Sequence, residues 1–562
     1  MAGCRSSMPP SFLTGSRKSA FINLSMTARS RTDFLLLAGF STFLFFYGIA
    51  QFGLIGADEP RYAQVAHEMF ERNDWITPTL GGQPWLEKPT LYYWQAMLVY
   101  RALGVSDAAA RIPSGLDAAA LVVAVYFFFQ RFRRSDGVDV ALIIASCAAI
   151  VGYARAASMD MGLASCFGIG MLAWWAWHES GKRVYLLTFY LFIALGMLAK
   201  GPVAPFLAGA VIGLFAAAVG EWRIVAKTLQ VPALLLFCAV ALPWYIAVQI
   251  RNPRFFHEFI VEHNLARFST NLYHHPEPFW YYLPVLLLAL VPWTVFVLAA
   301  MVESVRVWWA ERGSGFDAGL QFRVFACCWL VVPVLLFSIS RSKLPGYILP
   351  AVPAGAILLA DYLRQQLDGQ TPLPKWLAAL HALVACAPIV PAALIGFIVS
   401  QHRLPGGGFM WIAVAVAFLL AVAIALTLIG RSQWRMLRFL TLIPVVLAVA
   451  AVLKLGTAAI DQHLSTRPLA YELASLEIQK LPLAVCGAPR EVEYGLAFYR
   501  DQTVARYESG QVPASEHLLV APPAWKDNVV AWTSGRRLTL LGHYTPQNLD
   551  YYWVAAAAVN RH

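Results

Sequence analysis

Long runs of apolar residues recur along this chain, and short polar segments separate them. A helix needs roughly 20 mostly apolar residues to cross the ~30 Å hydrocarbon core of a bilayer, and most of these runs approach that length. The pattern therefore predicts a polytopic α-helical membrane protein with about thirteen transmembrane helices. The predicted spans lie near residues 34–56, 115–130, 138–153, 161–178, 184–199, 203–220, 229–250, 281–300, 323–339, 347–363, 376–400, 409–429 and 438–456.

The pattern changes after the last span. Residues 462–562 are more polar, and short apolar runs suited to buried strands alternate there with turn signals and one helical segment, which predicts a small α/β domain. The strand-like runs are LAVCG (483–487), TVARY (503–507) and HLLVAP (517–522), and the helical segment is Glu491–Tyr499. The chain then divides into a basic leader over 1–33, expected to be disordered, a membrane domain over 34–456 and a C-terminal domain over 462–562.

Composition supports a membrane protein. Hydrophobic residues make up 59% of the 562 residues and charged residues only 13%, which excludes a single soluble domain. A net charge of +11 would indicate nucleic-acid binding in a soluble protein, but here the basic residues are concentrated in alternate loops. That positive-inside bias predicts a cytoplasmic N-terminus, and it places loops 57–114 and 251–280 and the C-terminal domain outside the inner (plasma) membrane. Membrane lipid is therefore an expected partner, and nucleic acid is not.

The first outer loop concentrates charged residues in an otherwise apolar chain. Asp58 and Glu59 precede Pro60 at the start of a segment with helical spacing of its apolar positions, and Arg61 follows. Carboxylates are favoured at a helix N-terminus, so one acid is explained as a helix cap. A second adjacent acid exceeds what a cap requires. It is suited to accept a proton from an acceptor hydroxyl as a general base.

Lys88 follows Glu87 in the same loop, between aromatic residues and directly before Pro89. Pro89 disfavours a helical conformation at Lys88, and an ammonium on an extended turn is a point-charge partner for a phosphate group. The alternative is a lysine that reaches the bilayer surface beside interfacial aromatic residues. Phosphate binding is the favoured interpretation.

Further charged residues recur at the outer ends of predicted helices. Asp160 lies near Arg155, and Lys200 precedes a Gly-Pro turn, where a helix break with a lysine reaching the bilayer surface is an equal alternative to a functional role. The segment SRSKLPGYILP adds Arg341, Lys343 and Tyr347. Positions in the middle of the predicted spans are almost free of charge, whereas an ion-coupled transporter more often places ionisable residues near the midplane. This asymmetry favours an enzyme at the bilayer surface.

The second outer loop contains candidate metal ligands and a further cation. Glu262 and His263 are residue types that bind metal ions, although no spacing here matches a recognised zinc motif. His274 and His275 are weaker candidates beside prolines. Arg267 is the better functional candidate, because a guanidinium offers a two-pronged contact to phosphate.

These motifs occur together in a known family. The chain carries ADEPRYA, PWLEKPTLYYW, LAKGPVA, EHNLARF and KLPGYILP in this order, and the series resembles the ArnT-like branch of the GT-C glycosyltransferases. That branch contains bacterial relatives of the protein O-mannosyltransferases, including the 4-amino-4-deoxy-L-arabinose lipid A transferases. The resemblance covers most of the chain. It implies the GT-C fold and transfer of a sugar from a polyprenyl-phosphate donor, at the outer leaflet, to a lipid A-like glycolipid, a glycan or a protein hydroxyl.

The resemblance also implies residue roles. Asp58 matches the family's catalytic aspartate, Glu59 is its neighbour, and Asp160 matches a second acidic site, so the resemblance implies these three acids as the catalytic residues. Pro60 and Gly346 depart from the family pattern, which often has a polar residue and a threonine there. The positions implied for the donor phosphate are Arg61, Lys88, Arg267 and Tyr347, with Lys343 beside the last of these. A divalent metal ion is the one cofactor implied, at Glu87 and His263.

Two other functions remain open at this stage. A transporter of polyprenyl lipids or small molecules predicts that translocation survives the loss of Asp58. A membrane-anchored envelope assembly factor predicts that deletion of residues 462–562 matters more than any charge in the loops. Neither alternative explains why acids and cations recur at the outer ends of separate helices.

Overall fold

The structure is a computed structural model that describes residues 28–133, 137–266, 277–312, 316–368, 374–387, 389, 419–424 and 434–557. Residues 1–27 of the predicted leader lie outside this part of the chain. So do residues 388 and 390–400 of the predicted span 376–400 and most of the predicted span 409–429. The first helix, α1 (Ala28–Phe46), begins before the predicted start at residue 34.

Helices form most of the described chain up to residue 464, because long apolar stretches satisfy their backbone hydrogen bonds internally only as helices. The next ten are α2 (Asp58–Glu71), α3 (Leu91–Leu103), α4 (Asp107–Phe132), α5 (Gly137–Ser146), α6 (Ala148–Ala154), α7 (Met159–Ser180), α8 (Arg183–Lys200), α9 (Val203–Val219), α10 (Arg223–Thr228) and α11 (Val231–Arg251). Beyond them lie Tyr282–Ala289, Thr294–Ala310, Ala318–Ile339, Val352–Asp368, Lys375–Cys386, Trp434–Ala451 and Thr457–Leu464, with a π-helix at His257–Ala266 and 3-10 turns at Phe279–Tyr281 and Pro345–Ala351.

Five of the described helical segments are long and apolar enough to cross a membrane, and the number rises to eight if each of three bent pairs is one span. The five are Asp107–Phe132, Arg183–Lys200, Val231–Arg251, Ala318–Ile339 and Pro345–Leu363. The count of about thirteen helices is therefore not confirmed. One bent pair is α5 and α6, which meet at 68°. Both halves are apolar, so hydropathy alone does not reveal the bend.

The loop 57–114, predicted to be the first outer loop, is itself folded. Helices α2 and α3 flank a short hairpin of β1 (Thr79–Leu80) and β2 (Gln83–Pro84). Glu68 of α2 accepts hydrogen bonds from the backbone N–H of Gly81 at 2.7 Å and of Gly82 at 3.1 Å. Both glycines have positive φ, which a side chain would disfavour. These contacts tie the hairpin turn to α2.

The C-terminal domain contains a five-stranded sheet in the order β4-β3-β5-β7-β6. Its strands are β3 (Leu483–Val485), β4 (Val504–Arg506), β5 (His517–Ala521), β6 (Leu538–Tyr544) and β7 (Leu549–Val554), and its helices include Arg467–Ser475, Arg490–Arg500 and Lys526–Trp532. β3 pairs in parallel with β4 and β5, whereas β5–β7 and β6–β7 are antiparallel. The three predicted strands and the predicted helix are confirmed. β6 and β7 were not predicted; the register of β6 shifts between Leu540 and Gly542, which breaks its alternation.

The C-terminal domain is fastened to the membrane part through Asp107 at the start of α4. The Tyr499 hydroxyl donates to Asp107 Oδ1 at 2.5 Å, and Arg467 Nη1 donates to Asp107 Oδ2 at 2.9 Å. Arg467 also donates to the backbone carbonyls of Ala50 and Gln51. The helix Arg490–Arg500 packs against α2. The acids and cations of the first outer loop therefore lie beside the C-terminal domain.

Candidate functional site

The two adjacent acids at the start of α2 have different environments. Glu59 is buried, and its carboxylate accepts from Arg111 Nη2 at 2.6 Å, Arg111 Nε at 3.1 Å, Ile55 N at 2.8 Å and Ala157 N at 2.7 Å. Because four donors already occupy the carboxylate, we expect Glu59 to hold the loop against the helices rather than to exchange a proton. This differs from the catalytic assignment made from the sequence.

Asp58, by contrast, is accessible. Its side chain is 58% exposed, and Oδ1 accepts a hydrogen bond from Arg61 Nη2 at 2.5 Å. Pro60 lies within the first turn of α2, where a backbone N–H would have no partner inside the helix, so its absence costs no hydrogen bond. The chain thus turns one carboxylate inward to Arg111 and the other outward. Asp58 is the acid that a substrate can reach.

Arg61 lies among aromatic rings and a second carboxylate. Its guanidinium carbon is 5.0 Å from the ring centroid of Tyr62, 5.4 Å from that of Trp85 and 5.9 Å from that of Tyr494, which comes from the C-terminal domain. Nη1 is 3.8 Å from Glu87 Oε2. The next residue, Lys88, has its Nζ 3.4 Å from Glu87 Oε1. Two cations therefore share one buried carboxylate.

Three buried donors near this group have no hydrogen-bond partner among the described residues: Arg61 Nε, Trp85 Nε1 and the Tyr93 hydroxyl. Burial raises the pKa of the Tyr93 phenol, so it stays protonated. Burial also raises the pKa of Tyr62 well above its usual value, and the charge of Asp58 adds to the rise. A buried donor without an acceptor is costly, and a ligand that supplies acceptor oxygens would remove that cost.

A second acidic centre lies at the start of α7. Asp160 Oδ1 accepts a hydrogen bond from Lys200 Nζ at the end of α8, and Asp160 Oδ2 accepts one from Ser158 Oγ at 2.9 Å. Lys200 Nζ also lies 4.6 Å from the ring centroid of Tyr347. Arg155, which the sequence placed near Asp160, donates instead to the backbone carbonyls of Leu44 and Tyr47. The partner of Asp160 is therefore Lys200.

The two centres are linked through Tyr153, since a Cβ built at Gly346 would lie 2.7 Å from the Tyr153 hydroxyl and 2.7 Å from Asp160 Cγ. Tyr153 of α6 lies within electrostatic range of Asp58, Asp160 and Tyr347, and Lys88 lies within electrostatic range of Asp160. Residues from α2, the β2–α3 connection, α7, α8 and the 3-10 turn Pro345–Ala351 thus meet in one place. The side chains that meet there are Asp58, Arg61, Glu87, Lys88, Asp160 and Tyr347, all predicted from the sequence, together with Tyr93, Tyr153 and Tyr494, which were not, and Lys200, which was left undecided.

Lys343 has a different setting. Its buried ammonium donates to the backbone carbonyl of Ser340 at 2.6 Å and to that of Glu277 at 3.0 Å. It lines an open cleft of about 490 Å³ together with Glu277, Phe279, Ser340 and Arg341. These backbone contacts indicate that Lys343 holds the segment before Tyr347 in place. Its predicted contact with phosphate stays a prediction.

Of the two metal ligands implied by the resemblance, Glu87 and His263, the structure describes only the side chain of Glu87. Arg267, His274 and His275 lie outside the described residues, as does the side chain of His263. Glu87 is described, and its two oxygens face Arg61 and Lys88. Two cations this close oppose a divalent ion electrostatically, so the surroundings of Glu87 do not fit a metal site.

The chain is similar to known glycosyltransferases. A family profile described as dolichyl-phosphate-mannose-protein mannosyltransferase matches residues 87–246, which include Glu87, Lys88, Asp160 and Lys200. The chain is 31% identical over 348 residues to the undecaprenyl phosphate-alpha-4-amino-4-deoxy-L-arabinose arabinosyl transferase of Pseudomonas aeruginosa (strain UCBPP-PA14). That match covers 60% of this chain and 61% of the relative.

A longer match joins the chain to the transferase of the same name from Aeromonas salmonicida (strain A449). The two are 30% identical over 446 residues, which covers 76% of this chain and 78% of the relative. The crystal structure of ArnT from Cupriavidus metallidurans bound to undecaprenyl phosphate superimposes with a TM-score of 0.71 at 20% identity, over 94% of this chain and 98% of that one. The two proteins therefore share a fold.

Proposed function

Because the chain belongs to the ArnT-like family of undecaprenyl phosphate-alpha-4-amino-4-deoxy-L-arabinose arabinosyl transferases, we propose that it transfers a sugar from a polyprenyl-phosphate carrier to an acceptor of the cell envelope. The names of the relatives favour a 4-amino-4-deoxy-L-arabinose donor. The acceptor is a lipid A-like glycolipid, a glycan or a protein hydroxyl. The reaction takes place at the outer face of the inner membrane, with the N-terminus in the cytoplasm.

The unpaired donors around Arg61 are the observation that carries this proposal. Arg61 Nε, Trp85 Nε1 and the Tyr93 hydroxyl are buried and have no acceptor in the described part of the chain. Lys88 adds a positive charge beside them. A phosphate joined to a sugar supplies both negative charge and several acceptor oxygens, so it satisfies the donors and the electrostatics together.

The transfer is a direct displacement at the anomeric carbon. The bond from that carbon to the phosphate oxygen breaks, and its electron pair leaves with the polyprenyl phosphate. Arg61 and Lys88 stabilise the charge that develops on the leaving oxygen. The acceptor oxygen forms the new bond on the opposite face of the sugar, and its proton passes to the accessible carboxylate of Asp58. Attack from the opposite face inverts the anomeric configuration.

Asp160 and Lys200 position neighbouring groups in this proposal. The ion pair places a cation 4.6 Å from the ring centroid of Tyr347, within the group of side chains that surrounds the reaction. Lys200 is neutralised by Asp160, so it orients its neighbours without adding net positive charge to the site. The pair also fixes α7 relative to α8 beside Lys88.

The test is turnover by the purified protein in nanodiscs supplied with undecaprenyl phosphate-linked sugar and lipid A. Release of undecaprenyl phosphate is measured for wild type, Asp58→Asn and Glu491→Gln, an exposed acid of the C-terminal domain that serves as the matched control. We expect Asp58→Asn to lose activity about 10²-fold or more and the control to keep it. Equal turnover in all three would remove Asp58 from the chemistry. No turnover in any of them, across several sugar donors, would favour transport.

A further inference from the structure

A separate group of candidate ligands lies at the far end of α2, where the C-terminal domain packs against it. His67 and Glu71 are one turn apart on α2, and Asp501 follows the end of the helix Arg490–Arg500. One ligand atom from each of the three residues lies within 4.8 Å of the other two. Imidazole nitrogen and carboxylate oxygen are ligands that transition-metal ions accept.

The spacing of these groups differs from that of a hydrogen-bonded triad. His67 Nε2 is 3.5 Å from Glu71 Oε1, and His67 Nδ1 is 3.7 Å from Asp501 Oδ1. Both distances exceed the roughly 2.7–3.2 Å of a direct hydrogen bond. Two ligands that bind one tetrahedral ion at about 2.1 Å lie roughly 3.4 Å apart. An ion binds a single imidazole nitrogen, so only one of these gaps can be an edge of its coordination shell. At Nδ1, which has no hydrogen-bond partner among the described residues, that edge is the 3.7 Å gap to Asp501, and Glu71 completes the shell by turning toward the ion.

His67 is held in place for such a contact. Its side chain is only 9% exposed, and its Nδ1 has no hydrogen-bond partner among the described residues. The rings of Tyr100 and Phe498 pack edge-on against the imidazole, each at 6.3 Å between centroids. These rings cover the imidazole, and its nitrogens face the two carboxylates. Glu71 and Asp501 are 52% and 56% exposed, so an ion can reach them from solvent and either side chain can turn toward it.

We propose that His67, Glu71 and Asp501 bind one divalent transition-metal ion, with water as a further ligand. Zn²⁺ suits one imidazole and two carboxylates, whereas Ca²⁺ and Mg²⁺ prefer oxygen ligands alone. The ion joins α2 to the C-terminal domain. Helix α2 carries Asp58 and Arg61 at its other end, and Tyr494 reaches Arg61 from the same helix that precedes Asp501. Bound metal therefore stiffens the contact between α2 and the helix Arg490–Arg500, through which Tyr494 of the C-terminal domain reaches Arg61 of the donor site.

The experiment uses full-length protein without a histidine tag, stripped with chelator and returned to nanodiscs. Zn²⁺ content and affinity are measured by elemental analysis and calorimetry for wild type, His67→Asn, Glu71→Gln and Asp501→Asn. His543→Asn is the matched control, because His543 faces a single carboxylate, Asp550, at 2.7 Å on the sheet. Wild type and the control should bind one more equivalent of Zn²⁺ than the other variants, and Zn²⁺ should raise the Tm of only those two.

Two results would overturn the proposal. Equal Zn²⁺ content in wild type and Glu71→Gln, whose exposed side chain makes misfolding unimportant, would show that the three residues bind no ion. Alternatively, a Tm of chelated wild type that does not change when Zn²⁺ is added would show that no ion joins α2 to the C-terminal domain. Neither result would bear on sugar transfer, because the proposed donor site contains none of these side chains.

Discussion

Asp160 accepts a hydrogen bond from the ammonium of Lys200, and this contact joins the first turn of α7 to the last residue of α8. Both side chains are mostly buried, 20% and 14% exposed. A buried ion pair loses most of its value when one partner is removed, because the other charge is left without compensation. The pair should therefore behave as a unit in the reaction.

Asp160→Asn and Lys200→Met should each lower kcat by about 10²-fold, since either change moves the groups around Tyr347 and Lys88. The kcat of the double variant should be no lower than that of the less active single variant, because both substitutions remove the same interaction. Turnover of the lipid-linked sugar measures all three. Strictly additive losses would mean that the two residues act independently.

Glu59 and Asp58 should separate stability from activity. Glu59→Gln leaves the fully buried Arg111 guanidinium without its carboxylate, and loss of one partner of a buried ion pair costs about 3–5 kcal/mol. We expect a clearly lower Tm and poor yield for Glu59→Gln. Asp58→Asn should keep the wild-type Tm while losing turnover, because its side chain is 58% exposed. A normal Tm for Glu59→Gln would contradict the anchoring role.

The Tyr93 hydroxyl provides a test of the donor site that removes a single oxygen atom. It is buried and makes no hydrogen bond within the described chain, so Tyr93→Phe should leave the Tm unchanged or slightly higher. If the hydroxyl donates to the bound lipid phosphate or sugar, the Kd for the donor should rise about tenfold, corresponding to about 1.4 kcal/mol.

Tyr92→Phe is the matched control for that experiment. The Tyr92 hydroxyl donates to the backbone carbonyl of Ala110 at 2.8 Å, so its removal breaks a buried hydrogen bond. This variant should lower the Tm and leave donor affinity unchanged. Donor binding by calorimetry and Tm by thermal unfolding distinguish the two cases. Identical behaviour of both variants would mean that Tyr93 does not contact the donor.

The candidate site could be predicted from the sequence where charged residues stand out in apolar surroundings. Asp58, Lys88 and Asp160 were identifiable in this way because an ionised group near lipid requires a partner. The sequence does not reveal that Glu59 faces Arg111, since that contact joins residues 52 positions apart. Tyr93 and Tyr494 were missed for the opposite reason, because aromatic residues are common in membrane proteins and carry no distinguishing pattern.

The fold was predictable to a similar degree. Apolar runs identify helices, because a membrane chain satisfies its backbone hydrogen bonds internally, and short apolar runs bounded by turn signals identify the parallel strands β3, β4 and β5. Bends inside apolar runs leave no such signal. The pair formed by Phe279–Ala289 and Thr294–Ala310 turns by 115°, although the predicted span 281–300 is continuous in hydropathy. Packing against other helices, rather than local composition, determines where such breaks occur.

The surroundings of Gly346 leave no room for a side chain. A Cβ placed at Gly346 would lie 2.7 Å from Asp160 Cγ and 2.7 Å from the Tyr153 hydroxyl. Lys200 and Ser158 hold Asp160 by hydrogen bonds, so the carboxylate cannot withdraw without breaking them. Gly346→Ala should therefore displace Asp160 and lower kcat by about tenfold or more, and Gly346→Thr should lower it further. Gly209→Ala, at a helical glycine with open space around it, is the control and should retain full activity. Wild-type turnover in Gly346→Thr would mean that the site tolerates movement of Asp160, and the positioning role assigned to the Asp160–Lys200 pair would then be wrong.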